Sequence, residues 1–187
     1  MTRIIAGAHG GRRLSAPPGA HTRPTSDRVR EAFFSTLETM TDLSDTRFAD
    51  LYAGSGAIGL EALSRGAAHA LLVEADGKAA RVIRDNIVAL KVGSAARLVT
   101  GKVLQALGDP PSGGPYEVVF ADPPYALGDD EITGVQEQLV ANGWLAPDAV
   151  VIFERSTRGE PLSWVDGLIG DRTRRYGETT LWYGRRS

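Results

Sequence analysis

The chain has 187 residues, a length typical of a single domain with its own hydrophobic core. Hydrophobic residues make up 42% and charged residues 24%, which excludes a coiled-coil rod, a collagen-like chain and a wholly disordered protein. Cysteine is absent, so disulfides, thiolate metal sites and a cysteine nucleophile are excluded as well.

The net charge of −2 hides an uneven distribution of charged residues. Residues 1–30 hold six arginines and one acid, residues 31–154 hold 8 basic and 18 acidic residues, and residues 155–187 hold 7 basic and 4 acidic ones. Both ends are therefore basic, which suits a phosphate backbone and equally suits solvated termini.

No apolar run approaches the ~20 residues that cross a bilayer. The first residues, 1–7, lack the long apolar segment of a signal peptide. We therefore expect a cytoplasmic protein that makes no membrane contact.

Residues 1–22 are rich in glycine, proline and arginine, and they predict a basic arm or β-hairpin in front of a domain over 23–187. A disordered arm is the alternative. Ser26 or Asp27 can cap a helix that continues to Met40, because apolar residues recur there at helical spacing.

From residue 47 onward, short apolar strands alternate with amphipathic helices. Strands are predicted at 48–52, 70–73, 96–100, 116–121, 149–153 and 179–183, and helices at 58–66, 78–90, 103–107 and 130–141. This alternation predicts an α/β fold with a doubly wound, mostly parallel sheet. Between the last two predicted strands, Arg172, Arg174 and Arg175 are interpreted as part of a solvated loop, with contact to RNA as the alternative interpretation.

A glycine-rich turn follows the first strand of the sheet, with Gly54, Gly56 and Gly59 in the pattern Gly-x-Gly-x-x-Gly. It can bring backbone close to a ligand at a helix N-terminus, although a plain strand-to-helix turn is the alternative. Asp50, on the strand before it, suits an ammonium group or a water and disfavours a pyrophosphate. No Gly-Lys-Ser or Gly-Lys-Thr follows, which excludes a P-loop.

Glu74 lies at the end of the second strand, where a carboxylate can accept hydrogen bonds from both hydroxyls of a ribose. An exposed strand-end acid is the alternative interpretation. Val103 can then lie under an adenine ring. An amine, a ribose and an adenine together describe S-adenosylmethionine.

Asp122-Pro123-Pro124-Tyr125 directly follows a buried strand. The Asp122 carboxylate and the Pro123 carbonyl can accept hydrogen bonds from an amino group conjugated to a nucleobase, and thereby favour its nucleophilic form. The prolines stiffen the loop, and Tyr125 offers a face for an extruded base. The alternative is a turn in which Tyr125 only packs.

Ala53–Gly59, Glu74 and Asp122–Tyr125 resemble the class I S-adenosylmethionine-dependent amino-methyltransferases over residues 47–154. The resemblance implies a Rossmann-like fold with a seven-stranded, mostly parallel sheet. Asp-Pro-Pro-Tyr alone does not distinguish adenine N6, guanine N2 or glutamine N5 as the methyl acceptor.

The N-terminal segments 3–7, 11–14 and 22–34 closely resemble the RsmD family, which methylates N2 of a guanine in 16S ribosomal RNA of the small subunit. The resemblance implies that this RNA, within the assembled small subunit, is the substrate and that the basic arm contacts it. The expected cofactor residues are Arg23, Thr25, Asp50, Ala53, Gly54, Ser55, Gly56, Glu74, Lys102 and Val103. The expected catalytic residues are Asp122, Pro123, Pro124 and Tyr125, and the expected RNA contacts are Arg3, Arg12, Arg13 and Arg30. Lys102 departs from the family, since many relatives have an acid or amide there to face the adenine.

Two other functions remain open. An adenine-N6 methyltransferase acting on DNA or RNA would use the same loop. The 187 residues leave no room for a separate target-recognition domain, although the N-terminal arm could serve as one. A non-catalytic ribosome-assembly factor would have no need of the acceptors in Asp-Pro-Pro-Tyr. We further expect a monomer without a metal ion, because the three histidines do not cluster with acids in the sequence.

Overall fold

The computed structural model describes residues 2–18 and 26–187. It contains a two-stranded hairpin and a seven-stranded sheet with helices on both faces. The elements are β1 (Thr2–Arg3), β2 (Arg13–Leu14), α1 (Asp27–Met40), β3 (Arg47–Leu51), α2 (Ala57–Ser64), β4 (His69–Glu74), α3 (Gly77–Leu90), β5 (Ala96–Thr100), α4 (Val103–Ala106), β6 (Tyr116–Ala121), α5 (Asp129–Ala141), β7 (Leu145–Ser156), β8 (Leu168–Tyr176) and β9 (Thr179–Arg186).

The strands of the large sheet follow the order β5-β4-β3-β6-β7-β9-β8. The first five are mutually parallel, whereas β9 is antiparallel to both β7 and β8. Chain order reverses between β3 and β6, where a doubly wound sheet opens its ligand crevice. The expected Rossmann-like α/β fold, with its seven-stranded sheet and N-terminal hairpin, is confirmed.

The interpretation of residues 172–175 as a loop is wrong. They belong to β8, the edge strand, which pairs only with β9. Most β8 side chains are exposed, so the strand has no apolar face and no alternating pattern that the sequence could reveal. Charged side chains are common on edge strands because they prevent pairing with other chains.

The helices pack through apolar faces at the spacing that the sequence predicts. α1 is capped by Ser26, whose Oγ accepts a hydrogen bond from the Val29 N–H at 3.2 Å. Its buried Phe33, Phe34 and Leu37 pack on one face of the sheet, while α4 and α5 cover the other. None of the helices formed by the described residues combines the length and apolarity that crossing a membrane requires.

The hairpin packs firmly against the domain. Ile4 and Leu14 are buried against residues of α2, α3 and β4. The Glu61 carboxylate on α2 accepts hydrogen bonds from the backbone N–H groups of Ile5 and Ala6, at 2.8 and 3.0 Å. The hairpin is therefore held by both apolar burial and hydrogen bonds, and the alternative of a disordered arm does not apply to residues 2–14.

Candidate functional site

The glycine-rich loop and the Asp-Pro-Pro-Tyr loop lie side by side at the reversal of strand order. β3 and β6 are paired in parallel with Leu51 opposite Ala121, so both loops leave the sheet at the same level. The Asp122 N–H points at the Leu51 carbonyl, with 3.4 Å between nitrogen and oxygen. This edge brings together the two motifs that the sequence analysis singled out.

The two glycines at the start of the loop have different surroundings. Both have a positive φ, +61° at Gly54 and +83° at Gly56, which residues with side chains rarely adopt. A Cβ at Gly54 would meet no atom within 4 Å, whereas one at Gly56 would lie 3.0 Å from Leu72 Cδ2. Gly54 therefore leaves open space for a ligand at the N-terminus of α2, and Gly56 lets the loop pack on the sheet.

Asp50 lies beneath this loop and is buried. Its Oδ2 accepts a hydrogen bond from the Gly59 N–H at 2.9 Å. Burial raises the pKa of Asp50 well above its ordinary value, an effect that the negative charges of Glu74 and Glu154 increase and the Gly59 hydrogen bond opposes. A cation near Asp50 would favour its charged form, which suits the expected ammonium group.

Glu74 organises the second strand end. Its Oε1 accepts from the Gly54 N–H at 2.7 Å and its Oε2 from the Asp76 N–H at 2.8 Å. A carboxylate has about four lone-pair positions, so both oxygens can still accept from a ribose. Farther along this edge, Lys102 is exposed just before α4 and Val103 is buried in the core.

The Asp-Pro-Pro-Tyr loop presents acceptors and an aromatic face. The Pro124 carbonyl accepts from the Leu127 N–H at 3.0 Å, whereas no backbone N–H within 2–18 or 26–187 donates to the Pro123 carbonyl. Tyr125 is 62% exposed. Burial raises the pKa of Asp122 well above its ordinary value, and the charge of Glu154 and a hydrogen bond from Asp122 to Glu154 raise it further.

These residues fit S-adenosylmethionine as a ligand. The open space at Gly54 admits a close approach to backbone, Glu74 retains acceptor capacity for a ribose, and Asp50 gains from a nearby ammonium group. Asp122 is on the neighbouring strand end, where a methyl acceptor would have to lie.

Comparison with known proteins gives the family. The family model described as "Conserved hypothetical protein 95" matches residues 2–185. "Ribosomal RNA small subunit methyltransferase D" of Escherichia coli strain K12 is 42% identical over 152 residues, which are 81% of this chain and 73% of that protein. The chain belongs to the RsmD family.

Other RsmD relatives agree over most of the chain. The Haemophilus influenzae protein of the same name is 36% identical over 165 residues, 86% of this chain and 81% of that protein. The solved structure of yhhF from Escherichia coli is 34% identical, with a TM-score of 0.86 over 98% of this chain and 97% of that chain. The shared fold therefore includes the N-terminal hairpin.

One expected RNA contact in this RsmD chain is wrong. Arg30 is only 1% exposed, because α1 turns it into the interior, where it meets Asp27 at 3.1 Å and Glu61 at 3.6 Å. Its Nη2 also donates to the Arg3 carbonyl. Arg30 therefore joins the hairpin to α1 and α2 and is inaccessible to RNA, whereas Arg3, Arg12 and Arg13 are exposed.

Two expected cofactor residues, Arg23 and Thr25, lie outside the described residues. The same holds for the predicted boundary between residues 22 and 23. Within the part of the chain that is described, no three His, Asp or Glu side chains form a group that could hold a metal ion.

Sequence reasoning missed Asn86, which links the hairpin to the glycine-rich loop. Its Nδ2 donates to the Ser15 carbonyl at 3.1 Å and to the Ser55 carbonyl at 2.9 Å, and its Oδ1 accepts from the Ser15 N–H at 2.8 Å. Asn86 interrupts the apolar face of α3, at a core position beside Ile83 and Ile87. A polar residue at such a position indicates a buried hydrogen-bonding role.

Tyr52, Glu154 and Arg155 were also missed. Tyr52 has a φ of +61°, a strained conformation for a residue with a large side chain, and its hydroxyl donates to Glu131 Oε2 at 2.7 Å. Glu154 and Arg155 continue β7 past the level of Ala121. The positive φ and the pairing across strands have no signature in a single sequence.

The Asp122–Glu154 pair leads us to expect that the rate of methyl transfer falls at acid pH. We expect the ionised Asp122 carboxylate to be a stronger acceptor for an amine than the neutral acid, so methyl transfer should fall as the pH drops through its raised pKa. Glu154→Gln removes the charge that raises this pKa, and the acid limb of kcat moves to lower pH. Rates from pH 5 to 9 check this, with the exposed Glu160→Gln as a control of equal charge. An unmoved acid limb in Glu154→Gln would contradict the prediction.

Proposed function

We propose that this protein transfers a methyl group from S-adenosylmethionine to the exocyclic N2 amine of a guanine in 16S ribosomal RNA, within the assembled small subunit. The observation that carries the proposal is the pairing of β3 with β6, which brings the glycine-rich loop next to Asp-Pro-Pro-Tyr. Relatives that cover most of the chain are named small-subunit ribosomal RNA methyltransferases, which supports RNA as the substrate.

Each loop has its own task in this proposal. The glycine-rich loop and Asp50 hold the methionine part of the cofactor, Glu74 holds its ribose, and Val103 supports the adenine. Lys102 has no acceptor for the adenine amine, so backbone has to supply it. When bound, S-adenosylmethionine supplies an electrophilic methyl group.

Asp122 and its neighbours position the guanine. The Asp122 carboxylate and the Pro123 carbonyl accept hydrogen bonds from the N2 amine, which localises the nitrogen lone pair toward the methyl group. The Asp122 carboxylate then takes up the proton that the amine loses on methylation. Tyr125 stacks on the extruded base, an interaction worth ~1–3 kcal/mol. Holding amine and methyl in line supplies much of the remaining rate acceleration. The stiff proline backbone keeps these groups in place.

The hairpin supplies the first contact with the RNA backbone. Arg13 is exposed, and Arg12 donates from Nη2 to the Ala89 carbonyl at 2.7 Å, which holds its guanidinium at the surface. Arg12→Gln combined with Arg13→Gln flattens the salt dependence of RNA binding by up to ~2 units of log K per log salt. Arg97→Gln with Arg186→Gln is the control, since both residues are exposed and lie toward the amino ends of the parallel strands. An unchanged salt dependence of RNA binding in the hairpin variant would show that Arg12 and Arg13 do not contact the RNA.

Two measurements test the proposal as a whole. Calorimetry measures the binding of S-adenosylmethionine, and labelled methyl transfer is then compared on unmethylated small subunits, naked ribosomal RNA and duplex DNA. We expect saturable binding and label in the subunit RNA. Label in DNA would favour the adenine-N6 alternative, and binding to subunits with no transfer would favour the assembly factor.

A further inference from the structure

The carboxyl edge of the sheet continues beyond Asp-Pro-Pro-Tyr as a row of arginines. β7 pairs with β9 and β9 with β8, so Arg155 and Arg175 both lie opposite Thr180 and share one level and one sheet face. Arg174 lies opposite Leu181, one residue back, so its side chain points to the other face of this edge strand. With Phe153 opposite Ala121, Arg155 comes at the level of Pro123 on the neighbouring strand. Three strand spacings, about 14 Å, separate the levels of Pro123 and Arg175.

Two of the exposed arginines at this edge have no carboxylate partner among the described residues. Arg172 and Arg185 are paired with Asp171 at 2.7 and 3.1 Å, and Arg158 with Glu178 at 3.1 Å. Arg174 and Arg175, by contrast, are exposed and have no carboxylate of residues 2–18 or 26–187 within salt-bridge distance. Within the described part of the chain, their hydrogen bonds are to the carbonyls of Thr173 and Gly177. The neighbouring acids thus pair with other arginines, and Arg174 and Arg175 have no carboxylate partner among the described residues.

Arg155 lies between these arginines and the Asp-Pro-Pro-Tyr loop. Its positive charge acts on both Asp122 and Tyr52, so the guanidinium lies at the border of the candidate site. Its Nη1 is buried without a hydrogen-bond partner among the described residues. A buried guanidinium nitrogen without an acceptor is costly unless a ligand supplies one.

The hairpin and this row lie on opposite sides of the candidate site. The hairpin packs against α2, α3 and β4, in the half of the sheet that ends with β5. β8 forms the other edge. A nucleotide held at Asp-Pro-Pro-Tyr would therefore have basic groups on both sides, and the acidic middle of the chain would contribute no attraction to phosphate.

We infer that Arg175, continued inward by Arg155 on the same sheet face, and Arg174 on the other face of the same edge strand form a second contact surface for the phosphodiester backbone of RNA, which holds the nucleotides flanking the methylated guanine. The inference rests on the proposed function. Arginine suits this role because its planar fork binds phosphate oxygens in pairs. The competing explanation is that the arginines only protect the exposed edge of β8 from pairing with another chain.

The test is the double variant Arg174→Gln with Arg175→Gln, compared with wild type and with the control Arg97→Gln with Arg186→Gln. Binding to unmethylated 16S ribosomal RNA and to small subunits is measured across a salt series, together with methyl transfer. We expect about tenfold weaker RNA binding, a salt slope flatter by about 1–2 units, a higher KM for RNA and an unchanged kcat at saturating RNA. The control variant, with the same change in net charge, keeps the wild-type slope.

Two outcomes would contradict the proposal that these arginines bind the RNA backbone. A wild-type slope and KM in the double variant would do so, and new self-association with unchanged RNA binding would show that the arginines only protect the edge. A wild-type protein without RNA affinity would refute the proposed function and this surface together. Normal transfer by the wild type together with a wild-type KM for RNA and salt slope in the double variant refutes the proposed arginine surface alone.

Discussion

Asp122→Ala is expected to lower kcat for methyl transfer by about 10²–10⁴-fold, the range for a side chain that takes part in proton handling at the reacting atom. The carboxylate is the acceptor that Asp-Pro-Pro-Tyr contributes from a side chain, and the Pro123 carbonyl alone cannot orient the amine. Affinity for S-adenosylmethionine and for RNA should change little, because the cofactor and backbone contacts lie on other strand ends and on the basic surfaces. Single-turnover transfer and calorimetry on the same preparation measure these effects separately.

Asp122→Asn is the matched control for that prediction. It keeps the size of the side chain and one carbonyl acceptor, so a smaller loss than in Asp122→Ala is expected. Because Asn does not titrate, the acid limb assigned to Asp122 should also disappear. Full methyl-transfer activity in Asp122→Ala would show that Asp122 takes no part in catalysis.

Glu61→Ala is expected to destabilise the fold by about 3–5 kcal/mol, because it removes the fully buried carboxylate beside Arg30 and leaves that buried guanidinium with the partly exposed Asp27 alone. Glu61 is fully buried and also binds Arg65 Nε at 2.9 Å and the N–H groups of Ile5 and Ala6. For a chain of this length the loss corresponds to a fall in Tm of roughly 6–20 °C. Thermal and urea unfolding measure it, and the hairpin should become sensitive to protease at temperatures where the domain is still folded.

Glu38→Ala is the control for Glu61. Glu38 forms an ion pair with the same Arg65 at 3.1 Å, but its side chain is 47% exposed. Ion pairs of this exposure contribute at most about 1 kcal/mol. Equal destabilisation by the two substitutions would show that Glu61 does not hold the hairpin in the way described.

The elements with one apolar face were predictable from the sequence. α1, α3, β5 and β6 begin and end within a residue or two of the predicted bounds, because burial imposes a period of 3.6 or a continuous apolar run. β8 was not predictable, since an edge strand with both faces solvated carries no such pattern. The same exposure leaves its arginines free for other contacts.

The residues of the candidate site also include some that the local sequence predicts and some that it does not. Gly54, Glu74 and Asp122 each lie at or just after the carboxyl end of a strand, and strand order brings these ends together, so local sequence was sufficient. Arg30 was misassigned because an arginine beside other arginines resembles a surface cluster, and only the fold reveals Glu61 opposite it. Glu154 depends on the pairing of β6 with β7, which no local pattern specifies.

The most direct test of the central claim is the identity of the methylated nucleoside. Small subunits lacking the modification are incubated with the protein and S-adenosylmethionine, and the RNA is digested and analysed by mass spectrometry. We expect N2-methylguanosine at one position with the wild-type protein. We expect this nucleoside to be absent when the Asp122→Ala variant is used. N6-methyladenosine, or no methylated nucleoside from active and correctly folded protein, would contradict the central claim.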